Sequence, residues 1–121
     1  MSPARDYFDY LTDMLDAGRQ VEEFTAGFDF EGFVRDRRTS AAVIRQLEII
    51  GEAATQVPEA VRDCYPGVPW RGMVAMRNRL IHGYFGVDLA VVWDTAVRFV
   101  PPLVAELDRL LEELRREAGD E

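Results

Sequence analysis

The segment Met76-Arg77-Asn78-Arg79-Leu80-Ile81-His82-Gly83-Tyr84 holds the only histidine of the chain, with two arginines, an amide and a tyrosine around it. From Cys64 to Val87 there is no Asp or Glu, although the chain has 22 acidic residues. An anion meets the least repulsion here. Arginine to hold phosphate charge and one histidine to move a proton are the parts a metal-free phosphodiester cleavage needs. Histidine is the side chain whose ordinary pKa lies near neutrality.

Each of these residues also has a plain structural reading. A histidine in the last turn before a capping glycine is favourable through the helix dipole alone. Arginines on a helix usually face solvent, and Tyr84 can simply pack its ring. Metal binding is the weaker chemistry: one histidine, with no carboxylate between residues 64 and 87, makes a poor ligand set. No metal and no cofactor is expected. Glu48 and Glu52 stand one helical turn apart, and the spacing leaves open whether they face the segment or solvent.

The elements that must position these residues are helical nearly throughout. Tyr7, Leu11, Leu15, Gly18 and Val21 recur at three and four, which predicts a first amphipathic helix over about residues 4–25. Gly27 and Asp29-Phe30-Glu31 interrupt it, with room for a short helical turn. Thr39-Ser40 reads as the start of a second long helix. Val43, Leu47, Ile50, Ala54 and Val57 line its inner face, and Gly51 allows a close neighbour. Pro58 to Pro69 is a connection with one helical turn over Glu59–Cys64. A third helix runs from near Trp70 to near Gly83, with Trp70, Met73, Val74, Leu80 and Ile81 as its buried stripe and Arg77 at the border.

A fourth helix starts after Asp88 and keeps its rhythm through Leu89, Trp93, Ala96, Val100, Leu103, Leu107, Leu110 and Leu114. Pro101-Pro102 falls inside it and predicts a kink or short break. The expected fold is all-α, an antiparallel up-and-down four-helix bundle with a proline-kinked last helix. It forms one domain over residues 1–121, with a frayed tail at 118–121.

On the third helix Asn78 and His82 are four apart and share a face. Arg77 and His82 are five apart, about 140° around an ideal helix. They meet on one ligand only if the helix end distorts, if Arg77 reaches round, or if a second chain supplies one of them.

Composition bounds the function classes. An apolar fraction of 48% and a charged fraction of 30% fit a globular domain. No apolar run approaches the roughly 20 residues of a membrane span, and no basic-then-apolar leader opens the chain. With a single cysteine, Cys64, no internal disulfide can form, which suits a reducing cytoplasm. The net charge is −8, but it divides as −6 over residues 1–34, +2 over 35–98 and −4 over 99–121. That argues against a general nucleic-acid coat and leaves the middle mildly basic. Every basic residue is arginine, whose fork suits bidentate phosphate contacts.

Arg77-Asn78-x-x-x-His82-x-Tyr84 resembles the signature of the HEPN family of helical domains. Ile44 through Ala54, Pro69-Trp70-Arg71, Met76 through Gly86, Val87-Asp88 and Val92-Trp93 resemble its HepT-like branch, over about residues 5–115. The resemblance implies a four-helix fold that forms a homodimer. It implies a metal-independent endoribonuclease, the toxin of a toxin–antitoxin pair, acting on RNA. It also implies a minimal nucleotidyltransferase antitoxin that attaches AMP to Tyr84.

On this reading Arg77, Asn78 and His82 are catalytic, Arg71 and Arg79 bind substrate, and Tyr84 is the modification site. Asn78 orients His82 or a phosphate oxygen. A two-fold dimer would supply a second imidazole, and Met73, Met76 and Phe85 are the apolar candidates for its interface. The alternative is a non-catalytic HEPN module that binds a nucleotide or a protein, which the net charge of −8 favours mildly.

Overall fold

The computed structural model describes residues 5–83 and 86–119, and all regular structure among them is helical. Helix α1 spans Tyr7–Thr25, α2 Phe30–Arg35, α3 Arg37–Gln56, α4 Glu59–Cys64 and α5 Trp70–Ile81. Helix α6 spans Leu89–Asp94, a π-helical turn covers Thr95–Phe99, and α7 runs over Val100–Gly119. The long helices α1, α3, α5 and the α6–α7 run are the four expected ones. The short helices α2 and α4 occupy the connections.

Aspartates begin most of these helices, because a carboxylate satisfies N–H groups that have no partner inside the helix. Asp6 accepts from the Asp9 N–H at 3.1 Å, and Asp29 from the Gly32 N–H at 2.8 Å. Asp88 accepts from the Ala90 N–H at 3.0 Å, as its position before the last helix predicts.

The start of α3 corrects the expectation of Thr39-Ser40. The helix begins at Arg37, and Asp36 is its cap, accepting from the Thr39 N–H at 3.0 Å. That bond holds the Asp36 carboxyl below the usual carboxylate range. Asp36 also ends α2, its own N–H donating to the Gly32 carbonyl at 3.0 Å. One residue therefore closes one helix and opens the next, which leaves no room for a later start.

Two helices, α1 and α5, pack on α3, and α7 packs on α1. The predicted inner face of α3 is buried: Val43, Leu47, Ile50, Ala54 and Val57 are all in the core. Leu11, Met14 and Val21 of α1 meet them with Leu107 and Leu111 of α7, all fully buried. Phe33 of α2 closes one side, its ring centroid 5.1 Å from that of Trp93.

The chain stays helical through Pro101-Pro102. The accommodation lies one turn earlier, where the Val100 N–H reaches back five residues to the Thr95 carbonyl. Proline lacks the N–H that would close the ordinary turn, and its ring crowds the carbonyl four residues back. A wider turn at Thr95–Phe99 relieves that crowding. Ala96, Val100, Leu103, Leu107 and Leu110 are all buried, so the apolar register holds across the prolines.

In α5 the buried stripe is narrower than expected. Trp70, Met73 and Leu80 are buried, but Ile81 is 38% exposed. Helix α5 packs chiefly on the single helix α3, which covers a seam spaced three and four residues apart. Ile81 falls beside that seam in the last residue of the helix. The helix is anchored at its other end by Trp70, whose indole N–H donates to the Tyr65 carbonyl at 3.1 Å. Among the described residues no helix is long and apolar enough to cross a membrane.

Candidate functional site

The site forms at the C-terminal end of α5, where that helix crosses α3. Gly51 of α3 makes the crossing close. A Cβ there would run into the Cβ of Arg77 and lie 2.6 Å from the Met73 carbonyl oxygen. With no side chain at Gly51, the stem of Arg77 lies against the backbone of α3.

The guanidinium of Arg77 is then held from two sides. It forms an ion pair at 2.5 Å with Glu52, the residue after Gly51. Its Nη1 donates to the side-chain oxygen of Asn78 at 2.8 Å. The Arg77 side chain is 28% exposed and that of Glu52 54% exposed. Glu52 therefore faces the site. Glu48 turns instead toward Arg45, at 3.8 Å on its own helix. Spacing alone does not decide between these two glutamates, because their direction depends on the crossing of two helices.

His82 caps α5 and is exposed. Its backbone N–H donates to the Asn78 carbonyl at 3.2 Å, and its ring Nδ1 lies 2.8 Å from the same oxygen. A carbonyl oxygen only accepts, so Nδ1 carries the proton of the neutral ring and Nε2 is left with a free lone pair. Asn78 thus serves both partners of the motif, Arg77 through its carboxamide and His82 through its main chain. The five-residue offset of Arg77 and His82 is bridged by the residue between them.

The other expected contacts lie farther out. Arg79 is exposed and lines a small pocket of about 190 Å³ with Met76, Asp88 and Val91. Arg71 lies in the first turn of α5, eleven residues before His82, or about 16 Å along the helix axis. It lines a separate cleft of about 610 Å³ with Arg62, Glu59 and Asp63. Helix α5 therefore places Arg79 near the motif and Arg71 at the opposite end.

Tyr84, the expected modification site, and Phe85 lie outside the described residues. Of the other expected interface residues, Met73 is only 8% exposed and belongs to the core. Met76 is half-buried. Both line an apolar groove of about 280 Å³ between α3, α5 and the π turn, with Phe99 and Leu103 opposite. Phe99 is 60% exposed, the most exposed large apolar side chain among the described residues. Periodicity does not single it out as a surface residue of note, and its only mark in the sequence is a place just outside the four-three rhythm of the last helix.

The fold and the site together define a class: an all-helical domain with an Arg–polar–x-x-x–His motif at the end of one packed helix. The chain belongs to the HepT-like ribonuclease family, whose model, described as Ribonuclease HepT-like, matches residues 14–110.

It is 45% identical over 106 residues to the "Probable ribonuclease HepT" of Thermococcus cleftensis, covering 88% of this chain and 96% of that protein. It is 37% identical over 115 residues to the "Putative RNase MJ0127" of Methanocaldococcus jannaschii, covering 95% of each. It is also 37% identical over 103 residues to the "Putative RNase TTE0752" of Caldanaerobacter subterraneus, covering 85% of this chain and 92% of that protein. No solved structure matches the chain.

Proposed function

We propose that the chain is a metal-independent endoribonuclease and the toxin of a toxin–antitoxin pair. The observation that carries this reading is the double role of Asn78. Its carbonyl fixes the proton of His82 on Nδ1 at 2.8 Å, and its carboxamide holds Arg77 at 2.8 Å. A general base and a phosphate-binding cation are thereby tied to one residue. Family membership and the names of the relatives support RNA as the substrate.

The chemistry follows from these groups. His82 Nε2 takes the proton of a ribose 2′-hydroxyl, and the 2′-oxygen attacks the adjacent phosphorus. The bond from phosphorus to the 5′-oxygen breaks, and that oxygen takes up a proton. The products are a 2′,3′-cyclic phosphate and a free 5′-hydroxyl. Arg77 holds the phosphate and stabilises the charge that builds on its oxygens. Arg79 contacts the substrate beside the motif, and Arg71 a more distant part of it.

Base and acid act in the same displacement, and each chain has one imidazole. A two-fold homodimer that pairs the motifs supplies the second. Its apolar contact is the groove beside α5, bordered by the exposed Phe99. The reading uses only protein groups: one imidazole from each chain and the guanidinium of Arg77. The partner is a minimal nucleotidyltransferase that attaches AMP to Tyr84. The site of action is the cytoplasm.

The second reading is a non-catalytic HEPN module for a nucleotide or a protein. The pairing of Arg77 with Glu52 favours it, since a carboxylate already occupies the motif cation.

The deciding experiment is cleavage of a mixed pool of end-labelled RNA by the purified protein and by His82→Ala. Cleavage by the parent and its loss in the variant is the expected result. Equal cleavage by both, or none by either, overturns the ribonuclease reading.

A further inference from the structure

Glu52 stands against the motif without belonging to it. The Gly51-Glu52 pair grips Arg77 at both ends. The glycine backbone lies on the stem, where an added Cβ would come within 3.0 Å of Arg77 Cγ. The glutamate carboxylate lies at the tip, 2.5 Å from Nη2. Asn78 takes Nη1 on the other side. The guanidinium plane is therefore fixed from two helices, α3 and α5.

We infer that Glu52 is a positioning residue for Arg77, setting the direction in which the guanidinium offers its free N–H groups to a phosphate. This rests on the ribonuclease reading. An arginine has five N–H donors. Glu52 and Asn78 engage the two Nη groups, and at least three donors remain, the Nε–H among them. Arginine recognises phosphate through a planar fork, so the orientation of that plane decides whether two bonds or one can form.

Stability gives Glu52 little reason to be there. The pair is half exposed, and exposed ion pairs add little to folding. A carboxylate beside a phosphate-binding arginine also weakens attraction for the ground-state substrate. Its benefit must come in orientation during reaction, and that has a kinetic signature. Loss of Glu52 should lower kcat while leaving KM the same or lower. Loss of Arg77 should lower kcat and raise KM.

The test is a double-variant cycle in the full chain. Glu52→Gln keeps the length and an accepting oxygen but removes the charge. Its kcat should fall between about 10- and 100-fold, the scale on which small misplacements act. Glu52→Asp keeps the charge one methylene short and should fall between the two. In an Arg77→Ala background, Glu52→Gln should change nothing further, because its effect passes through Arg77.

A second readout does not depend on activity. The Arg77 Nη–H signals in a nitrogen-15 NMR spectrum should be resolved from one another in the parent, because two partners hinder rotation of the guanidinium, and should merge with those of the free arginines in Glu52→Gln. A parent that cleaves no RNA defeats the ribonuclease reading, and the NMR signal then decides the positioning alone. Effects that add in the double variant, an unchanged kcat, or an Arg77 signal indifferent to Glu52→Gln overturn the inference.

Discussion

Nδ1 of His82 and the main-chain oxygen of Asn78 lie 2.8 Å apart, and the contact assigns the ring's free nitrogen. With Nδ1 donating, Nε2 is the nitrogen that can take a proton from substrate. Nitrogen-15 shifts of the imidazole should therefore show the Nδ1–H tautomer as the major neutral form. A dominant Nε2–H form would remove the assigned base.

Cleavage should persist in excess EDTA, and the upstream product should end in a 2′,3′-cyclic phosphate. Treatment with acid, which opens the cyclic ester, followed by mass analysis checks the end group. Activity lost to chelator and restored by magnesium would replace the mechanism with a metal-assisted one.

The protein should be a dimer at micromolar concentration, read by light scattering. Phe99→Glu places a charge on the rim of the apolar groove beside α5 and should shift the mass toward the monomer. Cleavage should fall with it, since pairing supplies the second imidazole. A parent of monomer mass that is fully active would refute the paired site.

Gly51→Ala should cost stability and activity together. The added methyl meets the Arg77 stem and the Met73 carbonyl at 2.6 Å, and backbone cannot move aside as a flexible side chain can. Overpacking of this kind costs about 1–3 kcal/mol. Denaturant unfolding should show a lowered midpoint with an unchanged slope. A variant as stable as the parent would mean that α3 and α5 can separate freely.

Tyr84 should be the point of control. It follows His82 by two residues, so an AMP group there adds bulk and negative charge beside Arg77, Arg79 and His82. Co-expression with the nucleotidyltransferase should add about 329 Da per AMP to the parent and nothing to Tyr84→Phe. The same gain in Tyr84→Phe would place the acceptor elsewhere.

Much of the fold is legible from the order of residues. The inner face Val43, Leu47, Ile50, Ala54, Val57 and the cap Asp88 follow from periodicity and from the chemistry of helix starts, which are local. What the order of residues hides is relational. Asp36 outcompetes Thr39-Ser40 as a cap only because α2 ends there. Ile81 is exposed because α5 has chiefly one neighbour. Glu52 faces Arg77, and Glu48 turns to Arg45, because Gly51 sets where the two helices cross. Within the site, the motif spacing shows that Arg77, Asn78 and His82 belong together. It does not show that Asn78 reaches Arg77 by its side chain and His82 by its carbonyl, since main-chain acceptors leave no mark in composition.

The wide turn at Thr95–Phe99 holds one residue more than an ordinary turn would. The extra residue is taken up within that turn, so the helix beyond it keeps its phase. The turn works like slack in a line. Remove a single codon within it and the slack closes to an ordinary turn, with Leu103, Leu107 and Leu110 still facing the core they now fill. Remove one from the ordinary turns of α7 and the residues on either side of the cut are turned about 100° against each other. Single-residue deletions along the lineage should therefore fall within these five residues and not in the buried turns of α7.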